Sequence, residues 1–237
     1  MADDAKNLDI PKPVINSEEK YNHPPIPLVE PVGADAQPGE GHCIIVACDK
    51  KTRFEVNVKA FRFYSKFADG ILSGDIDGDI PLDSDRAKPE TLQKFVTWLK
   101  HHETVKVSKQ PVPMPTLWSI DQYYTDKWDL GFIRQHFVGE DEDMTKHDSL
   151  MDLALLSTYL QVDPLTQMIC TFFGWHIKKA AALDDPVAEV ARWCNRGPYT
   201  VEEAKSAMDW VRGALKGLEP GPRTSMQSDD EYSTPPC

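Results

Sequence analysis

Positive charge is scarce in this sequence. Lysine and arginine number 26 against 38 aspartates and glutamates, which gives a formal charge of −12. Proteins that bind nucleic acid or anionic membranes neutralise phosphates with lysine and arginine, so neither is expected as a partner. Long apolar runs are also missing, since none approaches the roughly 18 residues of a membrane helix, and the acidic start MADDAKNLDI does not resemble a signal peptide. The sequence therefore predicts a soluble, intracellular protein.

Cysteine is sparse and scattered. The five residues Cys43, Cys48, Cys170, Cys194 and Cys237 are odd in number and contain no CxxC pair. This spacing is a poor match to a disulfide framework, so a reducing compartment fits best. Free cysteine packs as a small hydrophobe, and buried or half-buried thiols are therefore expected rather than metal ligands.

Catalytic motifs are missing as well. The sequence contains no GxxxxGK[ST], GxGxxG or GxSxG pattern. Residues 75–79 carry three alternating aspartates like a calcium loop, but the twelfth position is Arg86 where a glutamate is required. His101 and His102 are adjacent rather than four apart, and Cys170 has no basic neighbour to ionise its thiol. We expect no enzyme activity, no metal and no cofactor.

Proline and charge divide the chain into segments. Residues 1–41 hold seven prolines and eight acidic residues, which predicts a disordered arm, and residues 218–237 predict a disordered tail. The folded part is expected from residue 42 to residue 217. A proline-rich linker near residues 105–127 separates an amino-terminal block from a carboxy-terminal one.

The first block reads as a small α/β unit. The apolar run CIIVAC and the alternating residues 54–58 predict a hairpin of two strands. Apolar positions at three- and four-residue steps predict one helix over residues 60–72, ended by Gly74. Residues 80–82 predict a short edge strand, and Pro89 predicts the first position of another helix.

The second block is helical. Residues 150–160 carry one apolar stripe, and the pairs Asp163-Pro164 and Asp185-Pro186 each predict a helix start. A capping box formed by Thr200 and Glu203 predicts a last helix. The stripe around Phe172 is unusually aromatic. It is interpreted either as core or as a surface that a partner covers.

Several short sequence motifs occur in an order that is typical of one protein family. They are FEVNV at 54–58, IPL at 80–82, FVTWLKHH at 95–102, WDLGFI at 128–133, STYLQV at 157–162 and YTVEEA at 199–204. From about Cys43 to Trp210 the chain resembles the Skp adaptors (S-phase kinase-associated protein, the F-box-binding subunit of SCF ubiquitin ligases).

The resemblance implies an α+β fold and an adaptor function. Residues 42–182 would form a BTB/POZ-like core, a small sheet flanked by helices, and residues 183–217 would form two carboxy-terminal helices that bind the F-box and contribute to dimerisation. Such an adaptor bridges a cullin scaffold to F-box proteins in ubiquitin-dependent protein catabolism, in the cytoplasm and nucleus. It has no active site. A homodimer is expected when no receptor is present, because the terminal helices expose apolar faces.

The resemblance also assigns two binding surfaces. The cullin would contact Thr158, Tyr159 and Leu160, although the family has Asn where this chain has Thr158. The F-box receptor would contact Leu165, Met168, Ile169, Phe172, Ile177, Val190, Cys194, Met208 and Trp210.

The chain departs from the family in places. Val190 comes one position late, Trp210 comes about one turn early, and residues 134–147 are an insertion. Pro186 matches a proline that some relatives hydroxylate, but Asp185 precedes it where the family has threonine. Two alternatives therefore stay open. One is a BTB-type scaffold protein without cullin binding that assembles a chromosomal or regulatory complex. The other is an elongin-C-like adaptor, although that family stops before the two terminal helices predicted here.

Overall fold

The computed structural model describes residues 23–74, 78–107, 120, 123–124, 126–193 and 202. Within these residues the architecture is α+β, with a three-stranded sheet and seven α-helices. The chain divides into two compact units, residues 1–179 (unit 1) and 180–237 (unit 2). The sequence prediction had placed a boundary between residues 182 and 183. In the described ranges no helix is both long and apolar enough to cross a bilayer.

The sheet is built on the predicted hairpin. Strand β1 (His42–Val46) pairs antiparallel with β2 (Arg53–Asn57), and on its other side it pairs parallel with β3 (Ile80–Pro81). The central strand β1 is buried over most of its length, as its continuous apolar run requires, whereas β2 alternates between buried and half-buried residues. Proline is tolerated in β3 because this strand lies at the edge of the sheet. The hairpin and the edge strand are confirmed.

The predicted single helix over residues 60–72 is wrong. Two short helices, α1 (Val58–Tyr64) and α2 (Lys66–Ile71), replace it, and Ser65 between them has an extended backbone. The Ser65 hydroxyl accepts a hydrogen bond from the Ala68 amide and donates one of 2.6 Å to the Leu160 carbonyl. The break therefore depends on a partner 95 residues away, which the local periodicity does not reveal.

Helix α3 (Pro89–His101) begins at the predicted proline. Its apolar side chains Leu92, Phe95, Val96 and Leu99 are fully buried, as the spacing predicted. Phe95 meets Phe61 of α1 edge to face, with 6.1 Å between the ring centroids. These rings, with Trp98 and Phe132, are among the largest fully buried side chains of the described chain.

The predicted insertion at residues 134–147 is part of the fold. Helix α4 (Lys127–Ile133) continues as a π-helical turn (Arg134–Val138), which ends at Gly139 with φ 81°. A 3-10 turn (Met144–Lys146) follows, and Phe137, Val138 and Met144 are buried. The insertion therefore contributes apolar side chains to the interior of unit 1.

Three further helices follow, and the last two begin at the predicted Asp-Pro pairs. Helix α5 covers Asp148–Tyr159, α6 covers Asp163–Ala181 and α7 covers Pro186–Trp193. At the start of α7 the Asp185 carboxylate accepts a hydrogen bond from the Ala188 amide, 2.9 Å away. Both Asp-Pro helix starts are thus confirmed. The predicted last helix and the tail of residues 218–237 lie outside the described residues.

The disordered arm predicted for residues 1–41 is wrong for residues 23–41. This segment runs along the folded unit with turns at residues 34–35 and 40–41, Ile26 is buried, and Val32 forms a β-bridge with Arg53. The Arg53 guanidinium donates hydrogen bonds to the carbonyls of Gly33, Ala34 and Ala36. Side chains of the folded unit thus form hydrogen bonds with the backbone of the arm and keep it ordered. Amino-acid composition, on which the prediction of disorder rested, does not reveal such contacts. Residues 1–22 lie outside the described part.

Candidate functional site

An apolar stripe runs along the exposed side of α5. Met151, Leu155 and Tyr159 lie four residues apart, so they share one face of the helix, and all three are exposed. The side chain of Tyr159, which is 38% exposed, contacts Phe67 of α2, and their ring centroids lie 5.5 Å apart. We call Met151, Leu155, Tyr159 and Phe67 the α5 patch. An exposed group of this kind is typical of a protein-binding surface.

The three residues predicted to contact a cullin have different surroundings. Thr158 and Tyr159 are exposed, whereas Leu160 is fully buried, so Leu160 has to be removed from the binding surface. The Leu160 carbonyl accepts the hydrogen bond from Ser65 that ties α5 to α2. Thr158 donates its hydroxyl to the Ala154 carbonyl of its own helix, at 2.9 Å.

Three members of the α5 patch were missed from the sequence. Met151 and Leu155 continue the spacing of Tyr159 at four and eight residues, but the stripe of Leu150, Leu153 and Leu156 lies beside them and is fully buried. Because α5 is apolar on both sides, its sequence alone does not say which side faces solvent. Phe67 comes from a different helix.

The predicted receptor surface on α6 is largely interior. Leu165, Ile169 and Phe172 have no exposed area, and Met168 is buried while its carbonyl accepts the Tyr124 hydroxyl at 3.0 Å. A partner has no access to these four side chains without opening the unit. They are therefore corrected from a docking surface to core, the first of the two interpretations of the aromatic stripe.

Two residues of the receptor set keep exposed area. Ile177 is 49% exposed near the end of α6, and Val190 on α7 is half-buried. Cys194, Met208 and Trp210 lie outside the described residues. Among the described members of the set, Ile177 therefore offers the most surface to a partner.

A histidine, aspartate and tryptophan cluster joins α3 to α4. His101 Nε2 lies 2.6 Å from Asp126 Oδ2, and His102 Nε2 lies 2.9 Å from Asp129 Oδ1. The Trp98 indole donates to the same Asp129 oxygen at 3.2 Å. The cluster connects the sequence motifs FVTWLKHH (residues 95–102) and WDLGFI (residues 128–133), which the proline-rich linker separates in sequence.

The same cluster brings three metal-ligand types together. Ligand atoms of His101, His102 and Asp126 lie within 4.8 Å of one another. However, His102 uses Nε2 on Asp129 and Nδ1 on the Val105 carbonyl, 2.7 Å away. Burial opposes ionisation of Asp126, but the hydrogen bonds from His101 and the Trp128 amide outweigh it and lower the pKa. We interpret the cluster as a structural connection.

We expect Asp129→Asn to lower the free energy of unfolding by about 2 kcal/mol, because a neutral amide oxygen is a weaker partner for Trp98 and His102 than the buried carboxylate oxygen. Chemical denaturation of the full chain measures this loss. Glu103→Gln is the matched control, since Glu103 is exposed on the neighbouring turn and its change should stay within about 0.5 kcal/mol. Equal stability of the two variants would contradict the structural role.

The cysteines differ in exposure. Cys43 is buried in β1, and burial raises the pKa of its thiol from 9.0 to about 11, so it stays protonated near neutral pH. Cys48 is half-buried, as predicted, but Cys170 is exposed on α6 and not embedded in the apolar stripe. Cys194 and Cys237 lie outside the described residues.

Asp79, the last aspartate of the run that resembles a calcium loop, forms an ion pair with Arg53 at 2.8 Å.

The insertion carries a partly buried ionic cluster centred on Glu142. Its carboxylate lies 2.5 Å from the Arg134 guanidinium, 3.3 Å from His176 Nε2 and 3.7 Å from Lys179 Nζ. Burial opposes ionisation of Glu142, but the neighbouring His176 ring and the Arg134 guanidinium, which donates two hydrogen bonds to the carboxylate, outweigh it and lower the pKa from 4.5 to about 2. One carboxylate thus ties the insertion to α6.

Comparison with models of known protein families gave no match, and a search of curated proteins gave none either. Function is therefore inferred from the residues and the geometry of this chain.

Proposed function

We propose that the chain is an adaptor subunit of an SCF-type cullin-RING ubiquitin ligase, which bridges a cullin scaffold to F-box substrate receptors. The observation that carries the proposal is the exposure of Tyr159 within the α5 patch. In the Skp family, which the sequence resembles, the corresponding aromatic residue contacts the cullin. The BTB/POZ-like assignment of the α+β core belongs to the same proposal.

The chemistry of the α5 patch suits a protein partner. Tyrosine offers a large apolar ring together with a hydroxyl that can bond at the rim of an interface, and it is enriched among residues that dominate binding energy. Met151 and Leu155 extend the apolar contact along the helix, and methionine adapts to irregular partner surfaces. Asp148 is exposed in the first turn of α5 and supplies a polar rim.

The receptor surface is smaller than the sequence predicted. With Leu165, Met168, Ile169 and Phe172 in the interior, Ile177 is the described residue best placed to contact an F-box protein. Unit 2 carries the half-buried Val190 on α7. We propose that receptors contact Ile177 of unit 1.

Two exposed residues separate the two binding activities. We expect Tyr159→Lys to weaken cullin binding at least about 30-fold, because loss of a dominant interface residue costs about 2 kcal/mol or more, and to leave F-box binding unchanged. Ile177→Lys should do the reverse, so each variant is the control for the other. Binding is measured by calorimetry of the full chain with a cullin amino-terminal domain and with an F-box protein. If the unmodified chain binds neither protein, the adaptor proposal is rejected.

The alternative is a BTB-type scaffold protein without cullin binding. Thr158 favours it, because its hydroxyl bonds to Ala154 within α5, whereas an asparagine at this position reaches further and has more hydrogen-bonding groups. This alternative predicts that the chain assembles with a regulatory or chromosomal complex. Cullin recovery that Tyr159→Lys leaves unchanged, or cullin binding that is absent from the outset, would favour it.

A further inference from the structure

The extended arm is held in the manner of a bound peptide. We call residues 23–31, with the sequence HPPIPLVEP, the arm segment. The Ile26 amide donates to Gln135 Oε1 at 2.9 Å, and Gln135 Nε2 donates back to the Pro24 carbonyl at 3.1 Å. Gln135 therefore recognises the backbone of the segment on both sides of Pro25.

A second pair of side chains repeats this arrangement further along the arm segment. The Val29 amide donates to Thr97 Oγ1 at 3.0 Å, and Gln93 Nε2 donates to the Val29 carbonyl at 3.0 Å. Contacts to main-chain groups select an extended shape rather than a particular set of side chains. The four proline residues of the segment, at 24, 25, 27 and 31, favour that shape in advance.

The surface under the arm segment is shaped for close approach. A Cβ atom added at Gly131 of α4 would lie 2.9 Å from Cγ of His23, so glycine leaves the room that the segment requires. Between the segment and the surface lies an open cleft of about 560 Å³, lined on one side by residues 26–30 of the segment itself and on the other by Thr97, Lys100, His101 and Trp128. His101 and Trp128 are stacked, with 3.9 Å between the ring centroids. We call Gln93, Thr97, His101, Trp128, Gly131 and Gln135 the arm groove.

The arm segment is attached in a way that permits release. Among residues 23–31, all of which the structure describes, Ile26 is the only buried side chain. The segment precedes the sheet, so its release opens no strand. Arg53 holds residues 33–36 separately through three carbonyls. Segments with few buried contacts belong to the least stable part of a fold.

We propose that the arm groove is a binding site for extended, proline-containing peptides, which the arm segment occupies in cis and from which a partner's peptide of the same type displaces it. The paired glutamine and threonine side chains supply backbone recognition. His101 stacks on Trp128, whose other face packs on Phe132, and the two residues line the cleft beside Pro27 as an aromatic surface of the kind that proline-rich peptides bind. The open cleft leaves room for side chains that the arm segment lacks. The surface is separate from the α5 patch, and it does not depend on the adaptor proposal.

The test uses a fluorescein-labelled peptide of residues 23–31 and the full chain, with fluorescence anisotropy as the readout. In the unmodified chain the covalently attached segment competes at an effective concentration on the order of millimolar, so the peptide should bind weakly. Ile26→Asp removes the buried anchor and should raise the affinity at least about 10-fold. Adding Gln135→Ala should remove most of that gain, because two hydrogen bonds are lost.

A second variant that releases the arm segment, and a control variant, distinguish release of the segment from misfolding of the chain. Val29→Pro removes the amide that donates to Thr97 and should also raise peptide affinity. Glu30→Gln, at an exposed position of the segment, should bind the peptide as the unmodified chain does. Release variants that keep the circular dichroism and melting temperature of the unmodified chain but gain no peptide affinity would overturn the proposal. A dimer by light scattering that the release variants dissociate would also overturn it, in favour of arm exchange between two copies.

Discussion

Replacing Phe172 by alanine lowers the free energy of unfolding by about 3–5 kcal/mol, because a fully buried aromatic side chain is lost and its cavity closes only in part. Urea denaturation of the full chain, followed by circular dichroism, measures the change. Ile177→Ala on the same helix is the matched control. Its side chain is 49% exposed, so its loss should cost less than about 1 kcal/mol.

This pair of variants decides between the two interpretations of the aromatic stripe on α6. If the stripe is part of the core, Phe172→Ala should be much less stable than Ile177→Ala. If the stripe is a docking surface, both variants should be as stable as the unmodified chain, and only receptor binding should be weakened. The second outcome would restore the surface predicted from the family resemblance and would contradict the burial described above.

Replacing Glu142 by glutamine lowers the free energy of unfolding by about 3–5 kcal/mol at neutral pH. The neutral amide leaves the Arg134 guanidinium, whose side chain is 12% exposed, without its anionic partner. His176 and Lys179 lose the same counter-charge. Glu140→Gln is the control, because Glu140 is exposed in the same loop and its change should stay within about 0.5 kcal/mol.

The same cluster predicts a dependence of stability on pH. In the folded chain the pKa of Glu142 is about 2, below its ordinary value of 4.5. The unfolded state therefore binds the proton more tightly, and the stabilisation by Glu142 is complete above pH 4.5 and is lost as the pH falls toward 2. Denaturation of the unmodified chain and of Glu142→Gln at several pH values should give curves that converge in this range. Curves that stay parallel would exclude the ionic role of Glu142.

Local chemistry made several elements predictable. Helices begin at Pro89, Asp163-Pro164 and Asp185-Pro186 because the fixed φ of proline suits the first turn, and the Asp185 carboxylate also caps α7. The β1–β2 hairpin follows from a continuous apolar run before a short turn and an alternating apolar pattern after it. Each of these signals involves residues only a few positions apart.

Other predictions were wrong where distant residues decide the outcome. The helix over residues 60–72 breaks at Ser65 because its hydroxyl reaches the Leu160 carbonyl. Residues 23–41 are ordered because side chains of α3, of the turn after α4 and of β2 bind their backbone. The burial of Leu160 likewise depends on the contacts of its neighbours in the fold, although Tyr159 beside it is exposed.

Periodicity, caps and turn residues thus determined from the sequence alone where most of the described elements begin and which of them are helices or strands. Only the tertiary structure decided which apolar faces are interior and which remain for a partner. The physical reason is that helix and strand signals act over a few residues, whereas the exposure of Tyr159 and the burial of Phe172 depend on what other segments of the chain pack against them.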